Sequence, residues 1–169
     1  MLESAIGIYI SVPFCRSKCT YCNFASGVYP ASDHARYVER LIGDMDGAGV
    51  WAASAGVHLS RAVDSIYLGG GTPSLLEPEL ITRLFSALRE RFEVAAGAEI
   101  TVECAPGQLA QPVLDAMVAA GVNRVSLGVQ SFIDTEAHAS GRLHNRAMVQ
   151  DDLRRLRAAG SRPANRARQ

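Results

Sequence analysis

The chain has 169 residues, 48% of them hydrophobic and 20% charged, a balance that excludes intrinsic disorder and fits one domain or a piece of a larger one. Its 17 basic side chains cancel its 17 acidic ones, so no broad basic field is present to attract nucleic acid. No apolar run approaches the roughly 18 residues that span a bilayer. Met1-Leu2-Glu3-Ser4 leads straight into a strand-like segment, without the basic and apolar regions of a secretory signal, and the expected location is the cytoplasm.

A strand-then-helix rhythm runs along the chain. Ile6–Val12 is apolar and β-branched and ends at Pro13, which predicts a buried strand. Asp33 is the expected cap of a helix with Tyr37, Val38, Leu41, Ile42 and Met45 on one face, closed by Gly47-Ala48-Gly49. Residues 50–62 are Ala-rich and read as loop or a short helix. Ser65–Leu68 is a second strand, running into Gly69-Gly70-Gly71. A second helix opens at Pro78 and carries Leu80, Ile81, Leu84, Phe85 and Leu88 inward. Glu99–Cys104 is the third strand, ended by Pro106-Gly107. The third helix opens near Pro112 and stops at Gly121. Val125–Val129 is the fourth strand, and Ala147–Ala159 the fourth helix, ended by Gly160.

Four strand–helix units in succession imply parallel strands with right-handed crossovers. An α/β fold follows, and both a doubly wound sheet and part of a (β/α) barrel fit. In either, chemistry belongs at the C-terminal ends of the strands, where the unusual residues cluster. After Gly160 the rhythm stops. Residues 161–169 are basic, contain Pro163 and no β-branched or aromatic residue. The expectation is a core over 1–160, a disordered or loosely docked tail over 161–169, a fourth strand left as an exposed edge, and a domain cut short.

Cys15, Cys19 and Cys22 form a C-x3-C-x2-C motif just after the first strand. Such clustering suits a metal or catalytic site in a reducing compartment better than a disulfide framework. Three soft thiolates converging on one loop suit an iron–sulfur cluster or zinc. Zinc in a structural site wants a fourth protein ligand, for which His34 is the candidate. A [4Fe–4S] cluster on three cysteines leaves one iron open to an external ligand. Arg16 and Lys18 flank the thiols and favour thiolates. Cys104 lies far from the triad in sequence and reads as a small buried residue.

This motif, with Tyr21 just before the third cysteine, resembles that of the radical S-adenosylmethionine (SAM) superfamily. The resemblance implies the N-terminal portion, about four β/α units, of a partial (β/α)6 barrel. It also implies a [4Fe–4S] cluster on Cys15, Cys19 and Cys22, with SAM chelating the open iron and accepting an electron from the reduced cluster. Gly69-Gly70-Gly71-Thr72-Pro73 is similar to the family's SAM-binding segment, which implies that role for Gly70, Gly71 and Thr72. Arg124–Phe132 resembles a segment of oxygen-independent coproporphyrinogen III oxidases and HemW-type haem chaperones, and by position Glu103, Gln130 and Arg142 match SAM contacts there. Tyr9 and Tyr21 match family aromatics beside the ligand.

Within the family, Asn23-Phe24 follows Cys22 where the oxidases carry a further cysteine, and the first strand begins about six residues in. Both features favour the HemW-like branch. The resemblance then implies SAM, haem or porphyrin, an electron-donor protein and a haem-receiving client as partners, with the haem regions largely in a second half of the protein that follows a fifth strand. His138 and His144 are read as loop residues rather than haem ligands. Cys104-Ala105-Pro106-Gly107 stands where relatives commonly have Ala-Asn-Pro-Gly, so an amide is missing at Ala105.

Overall fold

A computed structural model describes residues 4–160 and 162–164. Five strands form one sheet in the order β1-β2-β3-β4-β5: β1 Ile6–Val12, β2 Ala62–Gly70, β3 Glu93–Cys104, β4 Arg124–Leu127 and β5 Arg162–Ala164. Every neighbouring pair is parallel. This order decides between the two architectures. A doubly wound sheet reverses its strand order partway. Here each strand adds beside the last, and right-handed crossovers then place every helix on one face, the winding of a partial (β/α) barrel.

The helices are α1 Ser32–Ser54, α2 Pro78–Arg91, α3 Gln111–Ala119, α4 Asp134–Ala139 and α5 Arg146–Ala158, with a 3-10 turn at Pro73–Leu75. Strand alternation sorts the residues. Ile10, Val12, Ile66, Leu68, Val102 and Val125 face the helices and are buried against Leu84, Phe85 and Leu88 of α2, Leu114 and Met117 of α3, and Leu156 of α5. Each such buried Leu or Phe contributes about 1.5–3 kcal/mol relative to exposure. The opposite, concave face is polar. Tyr9, Tyr67, Thr101 and Arg124 lie in register across four strands, and Glu103 pairs with Ser126 one layer up. Among the described residues no helix is long and apolar enough to cross a membrane.

Beyond small shifts at the ends of β2 and β4, the elements differ from expectation in five places. α1 does not stop at Gly47-Ala48-Gly49 but continues through the Ala-rich stretch to Ser54. Alanine is the strongest helix former, and the true stop is Gly56 at φ 72. There the Val57 N–H reaches the Ala52 carbonyl and the Gly56 N–H reaches that of Ala53, a Schellman termination. Asp33 is not the cap; it sits in the first turn, paired with Arg36 at 3.3 Å. β3 begins six residues early at Glu93, because its first residues pair with Ala62 and Val63 before the register shifts. α4 has six residues, too few to show a helical period. Finally, β4 is not an edge: Arg124, Val125 and Ser126 pair with residues 162–164. Backbone pairing needs no β-branched side chain, and an edge strand tolerates Pro163. The rest of the expected tail, 161 and 165–169, lies outside the described residues.

Candidate functional site

The C-terminal ends of β1 to β4 open onto a single cavity of about 820 Å³. The cysteine loop forms its first wall. Phe14 bridges to Gly27, and the Cys15 N–H donates to the Gly27 carbonyl at 2.9 Å, so the loop leaves and rejoins the strand end at one point. Lys18 ties its interior together, donating to the carbonyls of Phe24 at 2.7 Å and Ser26 at 2.9 Å. Lys18 thus shapes the loop as well as adding positive charge. Burial raises the Cys22 thiol, but the backbone at Phe24, the Ser26 hydroxyl and Lys18 outweigh it and leave the thiol below its ordinary value.

The glycine segment is fastened to this loop. The Gly71 and Thr72 N–H groups donate to the carbonyls of Val12 and Phe14, both at 2.7 Å. Gly70 takes φ 101, and a Cβ there would stand 2.7 Å from the Ser11 hydroxyl. On Gly71 it would stand 3.0 Å from the Cys15 sulfur. Both positions need glycine for close approach, one of them for its backbone as well.

The far wall comes from β3, β4 and the segment after β4. The Tyr67 hydroxyl donates to the Glu103 carboxylate at 2.6 Å. Burial, and then Glu103 itself, push the Tyr67 phenol up to about 12. Gln130 has φ 64, a left-handed conformation that costs a non-glycine residue about 1–2 kcal/mol. The Ser131 N–H closes that turn on the Val129 carbonyl at 2.8 Å, and the buried ring of His144 donates to the same carbonyl at 3.0 Å. The Arg142 guanidinium lies 5.7 Å from the centre of the Tyr21 ring and over Gly128, where a Cβ would meet it at 2.9 Å. Its Nε is buried without a hydrogen-bond partner. At Gly141, with φ 80, a Cβ would stand 3.3 Å from the Cys19 Cα, so glycine lets this segment lie close over the cysteine loop.

Of the residues singled out by sequence, Cys15, Cys19, Cys22, Tyr21, Gly70, Gly71, Thr72, Glu103, Gln130 and Arg142 all line this cavity. Tyr9 does not; it is 57% exposed and stacks on Tyr67 with ring centres 5.7 Å apart. Sequence reasoning missed Tyr67, Gln108 and His144 as lining residues. Tyr67 was findable, two residues before the glycines and in phase with Tyr9 on a half-buried strand. Cys104 is buried at 3% exposure and its thiol is pushed up to about 12 by that burial. His34 is taken by Glu77 at 3.0 Å and lies against Phe14, outside the cavity lining. His138 is exposed.

The donor set fits an iron–sulfur group and a polar ligand beside it. Among the described residues no three His, Cys, Asp or Glu side chains stand close enough to share one metal ion. Cys15, Cys19 and Cys22 are free, half-buried thiols that line one cavity, a soft donor set of the kind that holds an iron–sulfur group. The unpartnered Arg142 Nε leaves a polar contact for a second ligand.

Residues 9–166 match the radical SAM superfamily. The chain is similar to the heme chaperone HemW of Lactococcus lactis, 34% identical over 95% of this chain and 40% of that protein. It is 39% identical to the heme chaperone HemW of Escherichia coli, over 82% of this chain and 35% of the other. Among solved structures it resembles coproporphyrinogen III oxidase HemN of Escherichia coli, a radical SAM enzyme, with TM-score 0.80 and 30% identity over 94% of this chain and 35% of that one. The chain therefore spans well under half the length of these relatives. With the parallel strand order, the three-cysteine loop and the glycine cradle meeting at one cavity, these matches establish that the chain belongs to the radical SAM superfamily.

Proposed function

We propose that the chain binds a [4Fe–4S] cluster through Cys15, Cys19 and Cys22 and SAM beside it, as the N-terminal part of a HemW-like haem chaperone. The observation that carries this reading is the convergence of ten sequence-chosen residues on one cavity. Gly70, Gly71 and Thr72 line the cavity and cradle the amino-acid end of SAM, the two glycines by offering backbone without a side chain in the way. Glu103, oriented by Tyr67, accepts from its ammonium or hydroxyl groups. Arg142 and Gln130 supply donors from the opposite wall, and Tyr21 offers an aromatic face. Tyr9 acts at one remove, by stacking on Tyr67. When bound, a reduced cluster supplies a single electron to the sulfonium. An electron-donor protein and a haem-receiving client belong to the activity of the longer relatives, and a cytoplasmic, reducing setting suits the exposed thiol loop.

Anaerobic reconstitution with iron and sulfide tests this. The native chain should take up about four irons, show a broad visible absorption band, and shift it on addition of SAM. Cys15→Ala, Cys19→Ala or Cys22→Ala should each abolish that uptake, whereas Cys104→Ala should keep it. Zinc uptake with no iron would establish a structural zinc loop instead. The likeness to HemN supports a second reading, an oxygen-independent coproporphyrinogen III oxidase. Haem titration against porphyrinogen turnover, in the longer protein, separates the two.

A further inference from the structure

The turn after β3 brings one more polar group to the cavity. Ala105, Pro106, Gly107 and Gln108 form a tight turn, with the Gln108 N–H on the Ala105 carbonyl at 3.1 Å and Gly107 at φ 72. That is the geometry a Pro-Gly pair prefers in its central positions. Two residues of α5 clamp the turn on either side of Gln108. Asp152, buried at 2% exposure, accepts from the Gly107 N–H at 2.6 Å. Arg155 donates to the Leu109 carbonyl at 2.8 Å and to Asp152 at 3.1 Å.

The side chain so held lines the cavity, and its carbonyl oxygen, Oε1, is buried with no hydrogen-bond partner. An unsatisfied buried acceptor is unfavourable, because it has lost its water without gaining a donor. Ala105, on the same wall, contributes no polar side-chain atom. At the end of β3, one Glu103 oxygen is already taken by Tyr67. Gln108 is therefore an uncommitted acceptor on a backbone fixed at both neighbours.

We propose that Gln108 is a ligand-contacting specificity residue, whose side-chain carbonyl accepts a hydrogen bond from an ammonium, amine or hydroxyl group of the SAM molecule in this cavity. The inference rests on the reading that SAM occupies the cavity. It makes the Gln108 oxygen unfavourable in the free chain and useful in the complex, so stability and affinity respond to its removal with opposite signs.

The test uses the 169-residue chain reconstituted anaerobically, with SAM titrated by equilibrium dialysis and by its shift of the cluster absorption. Gln108→Met removes the acceptor at nearly constant volume, and Gln108→Ala removes it with less bulk. Both should weaken SAM binding about tenfold, the worth of one good hydrogen bond. Iron content should be unchanged, and the thermal midpoint of the ligand-free Gln108→Met chain should be equal to or above the native one. Gln108→Glu, which keeps an acceptor, should bind within about threefold of native. Native chain that binds SAM while both variants bind it equally well overturns the role of Gln108 alone. Loss of affinity that Gln108→Glu fails to restore, with a lowered ligand-free midpoint in all three variants, overturns it in favour of a structural role. Native chain that takes up the cluster but binds no SAM overturns this inference together with the reading it rests on.

Discussion

A Cβ placed on Gly71 would stand 2.6 Å from the Phe14 carbonyl oxygen, the same oxygen that accepts the Thr72 N–H at 2.7 Å. The glycine segment and the cysteine loop are thus one unit, and the absence of a side chain at Gly71 is what lets them dock. Gly71→Ala should destabilise the chain by about 1–3 kcal/mol, the usual cost of overpacking against backbone, and should reduce iron uptake. Gly47→Ala should do the reverse, because nothing lies within 4 Å of that position inside α1; a gain of about 0.5–1 kcal/mol is expected. Urea denaturation of both variants checks the pair, and equal effects would contradict the docking argument.

Thiol labelling should separate Cys104 from the other three. Cys104 is sealed in the core, with its thiol pushed up to about 12, so almost no thiolate is present for attack at neutral pH. In the folded, iron-free chain a small maleimide should label Cys15, Cys19 and Cys22 within minutes and leave Cys104 untouched until denaturant is added. Mass spectrometry of the digested chain reads this directly. Labelling of Cys104 at the rate of the loop thiols would show that its pocket opens in solution.

Gln130 holds its left-handed conformation at a cost that glycine would not incur. Gln130→Gly should raise the stability of the ligand-free chain by up to about 1 kcal/mol, since relief of strain outweighs the added flexibility of the unfolded chain. The same change should weaken SAM binding by removing the side chain from the cavity wall. A stability loss would mean that the Gln130 side chain itself holds the segment after β4.

Alkaline pH should unfold the chain in part through Tyr67. Its phenol is pushed up to about 12 in the folded chain, against about 10 when unfolded. Below pH about 10 both states keep the proton, and the contribution of Tyr67 is fully present. As pH rises further the unfolded state ionises first, so stability is lost up to about pH 12. Tyr67→Phe should make this alkaline fall shallower without changing its direction, because Tyr9, Tyr21 and Tyr37 are raised as well. Denaturant midpoints at several alkaline pH values provide the comparison.

Much of the site was legible from residue types and spacing. Cysteines four and three residues apart have few uses other than a shared metal group, and Gly69-Gly70-Gly71 after a strand marks close backbone approach. The core faces of α2 and α3 followed from their 3.6-residue period, and β1 from its β-branched run. Gln108 was not singled out, because a loop glutamine carries no local signal of what it faces, whereas the phase of Tyr67 with Tyr9 was there to be read. The full length of α1 was hidden by glycines that ordinarily end a helix, and α4 by its brevity.

By itself the sequence determined the first four strands, which helix faces are apolar, where most turns fall and that three thiols share one loop. All of these depend on contacts between residues close together along the chain. Only the tertiary structure decided that the strands add in one direction into a partial barrel and that residues 162–164 cover β4. It alone held Gln130 at positive φ and left the Gln108 carbonyl unpaired in the cavity. Those outcomes rest on register and packing between residues far apart in sequence, where no local period records the partner.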